Sequence, residues 1–278
     1  MDSLHFMPIK SIIKSLKKLR RRKPKPKQNY RDTVVGGVVE VSPRNIEGVF
    51  RIPARSHIAE RIILSGNYEN GVIEALETLQ PPPGIMINVG ANIGLIAVWL
   101  ARKWQRKVMA IEPNPEAYEA LVANVALNQL GALIEPVQAC IGEQEGRVDF
   151  SIIEGKPEYS SVGGIVHHAV VGLPQKTIEV PVMPLDRLVM DQKVSLIFMD
   201  VEGAEGLVMR GGLSVIRRDH PIVALECSDR LLGKLGWTSE RLAKEFEEMG
   251  YVLHPLDPKQ ELRHPFEGEV LCMPKQAS

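Results

Sequence analysis

At 278 residues, 44% of them hydrophobic, the chain can bury the core of one large α/β domain or two small ones, which excludes a disordered chain. No apolar run reaches the roughly 18 residues of a spanning helix, and Cys140, Cys227 and Cys272 are too scattered for a zinc knuckle or a disulfide framework, so a reducing cytoplasm is the expected setting. The net charge of zero hides an asymmetry: residues 1–27 hold ten Lys/Arg and one Asp, leaving 24 basic and 33 acidic residues on the body, which disfavours nucleic acid as substrate or partner.

Within residues 1–28, Phe6, Ile9, Ile12, Ile13, Leu16 and Leu19 recur at spacings of three and four with Lys10, Lys14, Lys17, Lys18 and Arg21 between them, the pattern of a basic amphipathic helix. The Lys-Pro-Lys-Pro-Lys that follows reads as an extended linker. Its basic cluster follows the apolar stretch, unlike an export signal, so the segment reads either as a peripheral dock on an anionic inner membrane face or as a solvated terminus. Residues 29–83 form a lead-in: β-rich runs in 33–52 around Ser42-Pro43-Arg44-Asn45 predict an antiparallel hairpin, and 57–64 and 70–79 predict helices that end at Pro81-Pro82-Pro83.

The main domain, 84–278, opens with Ile85-Met86-Ile87-Asn88-Val89, a glycine turn and a helix from near Ile93, the start of a βαβ unit. Strands at 108–111, 134–140, 194–199, 222–225 and 251–254, alternating with helices over 115–128, 204–217 and 239–249, predict a mostly parallel, doubly wound α/β sheet. Between about 147 and 184 the pattern breaks into β-like and polar pieces, an insertion of the kind that shapes a substrate pocket.

Open α/β sheets bind ligands beyond the carboxyl ends of their strands, where Asn88-Val89-Gly90-Ala91-Asn92-Ile93-Gly94 lies. Gly90 lets the backbone turn close to a ligand, and Gly94 lets helix pack on strand. The G-x-x-x-G spacing differs from the G-x-G-x-x-G of a dinucleotide site, which disfavours an NAD(P)-dependent oxidoreductase. At the end of the second strand, Glu112 can accept both hydroxyls of a ribose. A further strand runs into Asp200, Glu202 and Glu205 around Gly203, and Glu226 closes the next strand at the same edge. Carboxylates beside a ligand crevice cost stability and therefore point to function.

These residues resemble the FkbM-type S-adenosylmethionine-dependent methyltransferases. The resemblance rests on Gly66-Asn67-Tyr68-Glu69, Val89-Gly90-Ala91-Asn92-Ile93-Gly94, Ile111-Glu112-Pro113-Asn114-Pro115, Asn124, Asn128, Leu185-Asp186 and Asp200-Val201-Glu202-Gly203-Ala204-Glu205, over about residues 65–228. It implies a class I methyltransferase (Rossmann-like) fold, a seven-stranded sheet whose last strand, 267–272 here, is antiparallel, and O-methylation of a hydroxyl on a sugar, glycan or related small molecule. It further implies S-adenosyl-L-methionine as cofactor, bound by Glu69, Asn88, Gly90, Asn92, Gly94, Glu112 and Pro113. Two positions depart from the family: Asn88 stands where Asp is common, and Phe198 where Lys usually precedes the carboxylate motif.

For a hydroxyl acceptor, Asp200 is the candidate base, with Glu202 as alternative or orienting partner. Asp200 reads equally as a partner of the cofactor's amino group, or as ligand to a divalent cation that binds adjacent sugar hydroxyls. Tyr159, Ser160, Ser161, His167 and His168 of the insertion, with Glu226, are candidate acceptor contacts. Aromatic residues number only 14 and no tryptophan lies in the insertion, so a single terminal sugar suits the chain better than a long stacking groove. The contrasting reading is a non-catalytic cofactor-binding scaffold at a membrane assembly.

Overall fold

The computed structural model describes residues 34–35, 37–54, 56–153, 159–163, 172–257 and 259–275; the basic segment 1–28, His167 and His168 lie outside them. The lead-in folds as β1 (Val34–Val35), β2 (Val38–Val41) and β3 (Phe50–Pro53), an antiparallel sheet that contains the expected hairpin. Helices α1 (His57–Ser65) and α2 (Asn70–Glu77) follow. Ser56 caps α1 by accepting from the Ala59 N–H at 3.1 Å, and Gly66, at φ 76°, ends it in the left-handed conformation that glycine adopts most readily.

Next come β4 (Ile85–Val89), α3 (Leu95–Trp104), β5 (Val108–Ile111), α4 (Pro115–Leu127) and β6 (Ile134–Val137). The single strand expected over 134–140 divides: after Val137 the chain leaves the main sheet and builds a second one from β7 (Cys140–Ile141), β8 (Gly146–Ile153), β9 (Ser161–Val162) and β10 (Gln175–Met183). Cys140, Phe150, Ile152 and Val180 give this small sheet its own core. The chain finishes with α5 (Leu185–Val189), β11 (Val194–Met199), α6 (Glu205–Gly211), α7 (Leu213–Asp219), β12 (Ile222–Ser228), α8 (Asp229–Leu232), α9 (Ser239–Glu248), β13 (Tyr251–Pro255) and β14 (Glu267–Pro274).

The helix expected over 204–217 is therefore two helices. Gly211 packs so closely on the end of β7 that a Cβ there would stand 2.3 Å from the Gly142 carbonyl oxygen, and the helix yields at Gly211-Gly212. Asp186 caps the new start, accepting from the N–H groups of Ser214 at 3.0 Å and Val215 at 2.8 Å.

The main sheet has the order β13-β14-β12-β11-β4-β5-β6, with β14 antiparallel to both neighbours and β4, β5, β6, β11 and β12 parallel. The resemblance anticipates this reversal of the last strand. Chain direction across the sheet switches between β4 and β11, so their carboxyl ends open the ligand crevice. One face packs against the lead-in and α3, through Phe50, Ile62, Leu76 and Leu100; the other packs against α6, α7 and α9, through Val208, Ile216 and Phe246. No helix among the described residues is long and apolar enough to cross a membrane.

Two asparagines fasten the lead-in to this frame. Asn124 accepts from the Arg51 N–H at 2.8 Å and donates to the carbonyls of Arg51 at 3.2 Å and Ile93 at 2.9 Å. Asn128 accepts from Val49 at 3.1 Å and donates back to it at 2.8 Å, so the two amides act as a short ladder strand against β3. Asn124→Ala is expected to destabilise the protein by about 1–3 kcal/mol for each backbone group left orphaned. The measurement is the urea midpoint, and an unchanged midpoint would contradict this role.

Candidate active site

Strand register gathers the site onto one row of the sheet. Ala110, Asn88, Phe198, Ala224 and Leu271 are successive ladder partners across β5, β4, β11, β12 and β14. Because strand side chains alternate faces, the next row toward the carboxyl edge holds Glu112, Gly90, Asp200 and Glu226, with Glu269 opposite Glu226. All five line a cavity of about 550 Å³, together with Tyr68, Glu69, Asn92, Pro113, Phe198, Glu202, Tyr159 and Ser160.

The glycine turn forms one end of the cavity. Gly90 lies at φ 74°, and a Cβ on it would stand 1.9 Å from the Asp200 carbonyl oxygen. The N–H groups of Gly90 and Ala91 both donate to the Ile111 carbonyl at 2.9 Å, tying the turn to β5. Asn92, at φ 48°, donates its N–H to Glu112 Oε2 at 2.8 Å, and Asn114 donates its own to Glu112 Oε1 at 2.8 Å. Each oxygen of this buried carboxylate is thus aimed by a backbone bond. Burial nevertheless raises the Glu112 pKa to about 7, against the lowering influence of those two bonds. Asn88 is 1% exposed and neither of its amide atoms has a hydrogen-bond partner; Asn92 Oδ1 is also buried without one.

The raised Glu112 has a consequence for stability. Between its unfolded value near 4.5 and about 7, the native state keeps a proton that the unfolded chain has lost, so Glu112 makes the protein less stable as pH rises through that window. Glu112→Gln is expected to narrow the stability difference between pH 5 and pH 8 by about 1–3 kcal/mol. Urea titrations at the two pH values read this directly, and an unchanged difference would contradict it.

The other end of the cavity is acidic. Asp200, Glu202 and Glu226 each offer an oxygen within 4.8 Å of the other two. Burial, then the neighbouring Glu226 and Glu69, hold the Asp200 pKa well above the ordinary carboxylate range. Burial, then Glu202 and Glu205, raise Glu226 to about 7. Glu202 stands at φ 53° beside Gly203 at φ 100°, and Glu205 fastens that turn by accepting from Val201 at 3.4 Å and Gly203 at 3.3 Å. Glu69, at φ 38°, pairs with Arg61 at 2.6 Å, yet burial raises its pKa on balance. Of seven described non-glycine residues with positive φ, Glu69, Asn92 and Glu202 line this cavity, which concentrates backbone strain at the site.

Two anticipated residues, Ser161 and Gly94, stand off the cavity wall. Ser161 is 2% exposed and its neighbour Val162, not Ser161, reaches the cavity, because successive residues of β9 face opposite ways. Gly94 is not part of the wall: a Cβ there would meet Leu121 of α4 at 2.7 Å, so its role is helix packing. Ser160 does line the cavity and accepts from Asn114 Nδ2 at 3.1 Å. Tyr159 meets His57 of α1 at the wall, hydroxyl to Nδ1, at 2.5 Å. Sequence reasoning missed His57, Arg61, Tyr68 and Glu269 as site residues. Glu269 was visible in the alternation of Glu267-Gly268-Glu269-Val270, but only the antiparallel register sets it opposite Glu226.

A parallel sheet with its last strand reversed, a glycine turn after the first strand and an acid closing the second define the class I methyltransferase arrangement. The family model described as the methyltransferase FkbM domain matches residues 88–253, and the chain belongs to this family. Methyltransferase sdnD of Sordaria araneosa is 30% identical over 83 residues, 30% of this chain and 32% of that one. Methyltransferase 1 of Beauveria bassiana is 24% identical over 148 residues, 47% of this chain and 59% of that one. The chain thus matches less than two thirds of the length of either relative. Among solved structures, the FkbM methyltransferase of Methylobacillus flagellatus KT aligns with a TM-score of 0.44 at 17% identity, over 68% of this chain and 43% of that one.

Proposed function

We propose that the protein transfers a methyl group from S-adenosyl-L-methionine to a hydroxyl of a sugar, glycan or related small molecule. The observation that carries this reading is Glu112, 6% exposed, with both oxygens aimed by backbone N–H groups beside the glycine turn. Each oxygen keeps a lone pair for a ribose hydroxyl. The wall fits the cofactor in another respect: the buried amide of Asn88 and Asn92 Oδ1 have no protein partners.

In this reading Gly90, Asn92, Glu112 and Pro113 hold the adenosyl part, and Asn88 and Glu69 hold the amino-acid part. Bound there, the cofactor supplies an electrophilic methyl group on a sulfonium. The chain aligns the acceptor with that methyl, worth about 7–11 kcal/mol. Asp200 accepts the hydroxyl proton, a contribution of roughly 10²–10⁴ in rate, and Glu202 orients the acceptor. Glu226, Tyr159 and Ser160 offer it hydrogen bonds. The chain acts in the cytoplasm in this reading, with residues 1–28 docked on an anionic inner membrane face through their basic amphipathic pattern.

Calorimetric titration with S-adenosylhomocysteine, beside NAD, tests the proposal. Micromolar binding of the former alone is expected, weakened about 10-fold or more in Glu112→Gln. Equal binding of NAD, or affinity indifferent to Glu112→Gln, would contradict it.

A further inference from the structure

We infer that His57 and Tyr159 are a positioning pair: bonded to each other, they clasp the lead-in to the small sheet across the cavity and set how long the cofactor stays bound. This deepens the proposed methyl transfer and rests on it for the identity of the cofactor. The lead-in strands and the small sheet are separate sheets, so the pair joins parts of the chain that no strand ladder connects. The Tyr159 hydroxyl meets His57 Nδ1 at 2.5 Å, and the two rings cross edge to face, 5.2 Å between centroids and 88° apart.

Each partner is anchored from behind. His57 opens α1, where buried Ser56 accepts from the Ala59 N–H at 3.1 Å and donates its hydroxyl to the Pro53 carbonyl at 2.8 Å. Tyr159 leads into β9, whose Ser161 and Val162 pair with Ser151 and Phe150 of β8. Its neighbour Ser160 accepts from Asn114 Nδ2 at 3.1 Å.

Asn114 carries the clasp to the cofactor's acid. Three polar groups of this buried residue are committed: its N–H donates to Glu112 Oε1 at 2.8 Å, Oδ1 caps α4 by accepting from the Glu116 N–H at 3.0 Å, and Nδ2 holds Ser160. On the other side α1 runs one turn on from His57 to Arg61, which pairs with Glu69 at 2.6 Å. The contacts thus pass around the cavity from Glu112 through Ser160, Tyr159 and His57 to Arg61 and Glu69, and all six of these residues line it. In the proposed arrangement Glu112 holds the adenosyl part and Glu69 the amino-acid part, so the bonded pair spans the two ends, and the cofactor leaves when the pair parts.

The test follows dissociation of S-adenosylhomocysteine from the full chain by surface plasmon resonance. Tyr159→Phe keeps the ring and removes only the hydroxyl; His57→Phe keeps an aromatic ring and removes Nδ1. Each should raise the dissociation rate about 2- to 12-fold. The double variant should go no further than the larger single change, because both substitutions remove the same bond. Glu179→Gln, which removes an exposed partner of Arg147 in the small sheet, should leave the rate unchanged. Circular dichroism checks the fold of each variant. A second readout needs no ligand: hydrogen exchange in the unliganded chain at Ala59 and Glu60, which bond to Ser56, and at Gly163, which bonds to Asp149 at 3.2 Å. Tyr159→Phe should quicken it by about the same factor. Single-variant rates equal to that of the unsubstituted protein, effects that multiply in the double variant, or unchanged exchange in both segments overturns the inference. Faster exchange without any binding of S-adenosylhomocysteine would sink the methyl-transfer reading alone, and binding with rate and exchange unaffected would sink the clasp alone.

Discussion

Asp200→Asn is expected to lower kcat by about 10²–10⁴ while leaving the fold intact. The carboxylate stands one residue beyond β11, at the point where the sheet order reverses, and its backbone N–H donates to the Val89 carbonyl at 3.1 Å. Burial and the adjacent Glu226 and Glu69 raise its pKa, which brings a weak base closer to the strength that proton transfer near neutrality requires. The rate should therefore rise with pH through an ionisation above the ordinary aspartate range, and asparagine should abolish that limb. The same variant separates two roles. If Asp200 takes the proton, affinity for S-adenosylhomocysteine survives the substitution; if it holds the cofactor's amino group, affinity falls along with the rate.

Gly90→Ala is expected to make S-adenosylhomocysteine binding undetectable and to destabilise the protein by about 3–5 kcal/mol. The added Cβ would stand 1.9 Å from the Asp200 carbonyl oxygen, and backbone cannot swing aside as a flexible side chain can. Relief means parting β4 from β11, which displaces Asp200 and the turn that presents Asn92 to Glu112. The left-handed φ of 74° adds its own penalty for any residue with a Cβ. Gly94→Ala is the comparison. Its Cβ would meet the movable Leu121 Cδ1 at 2.7 Å, outside the cavity wall, so its effect on binding should be smaller. Melting curves and calorimetry on the pair decide the matter, and wild-type affinity in Gly90→Ala would contradict the account.

The parts of the molecule legible in the sequence are those written locally. Ile85-Met86-Ile87-Asn88-Val89 followed by a glycine turn gives β4 and α3 because an apolar run, a left-handed break and a helix former lie within a few residues of one another. Glu112 and Asp200 could be placed at strand ends for the same reason. What escaped depends on distant partners. The bend at Gly211-Gly212 follows from the approach of Gly142, some 70 residues earlier in the chain, and the second sheet exists because β8 pairs with β10 across an irregular stretch. The residues Asn124, Asn128 and Asp186 entered the sequence reading only as pieces of the family resemblance, with no role attached. Their side chains bind backbone, two of them to the lead-in and one to the start of α7.

The most direct measurement is a crystal structure of the protein with S-adenosylhomocysteine. The ribose hydroxyls are expected within hydrogen-bond distance of Glu112, with the ligand backbone running past Gly90 and a ligand or solvent partner on the buried amide of Asn88. A ligand seated elsewhere, or a ribose that leaves Glu112 untouched, would contradict the central claim that this row of the sheet is built to hold the cofactor.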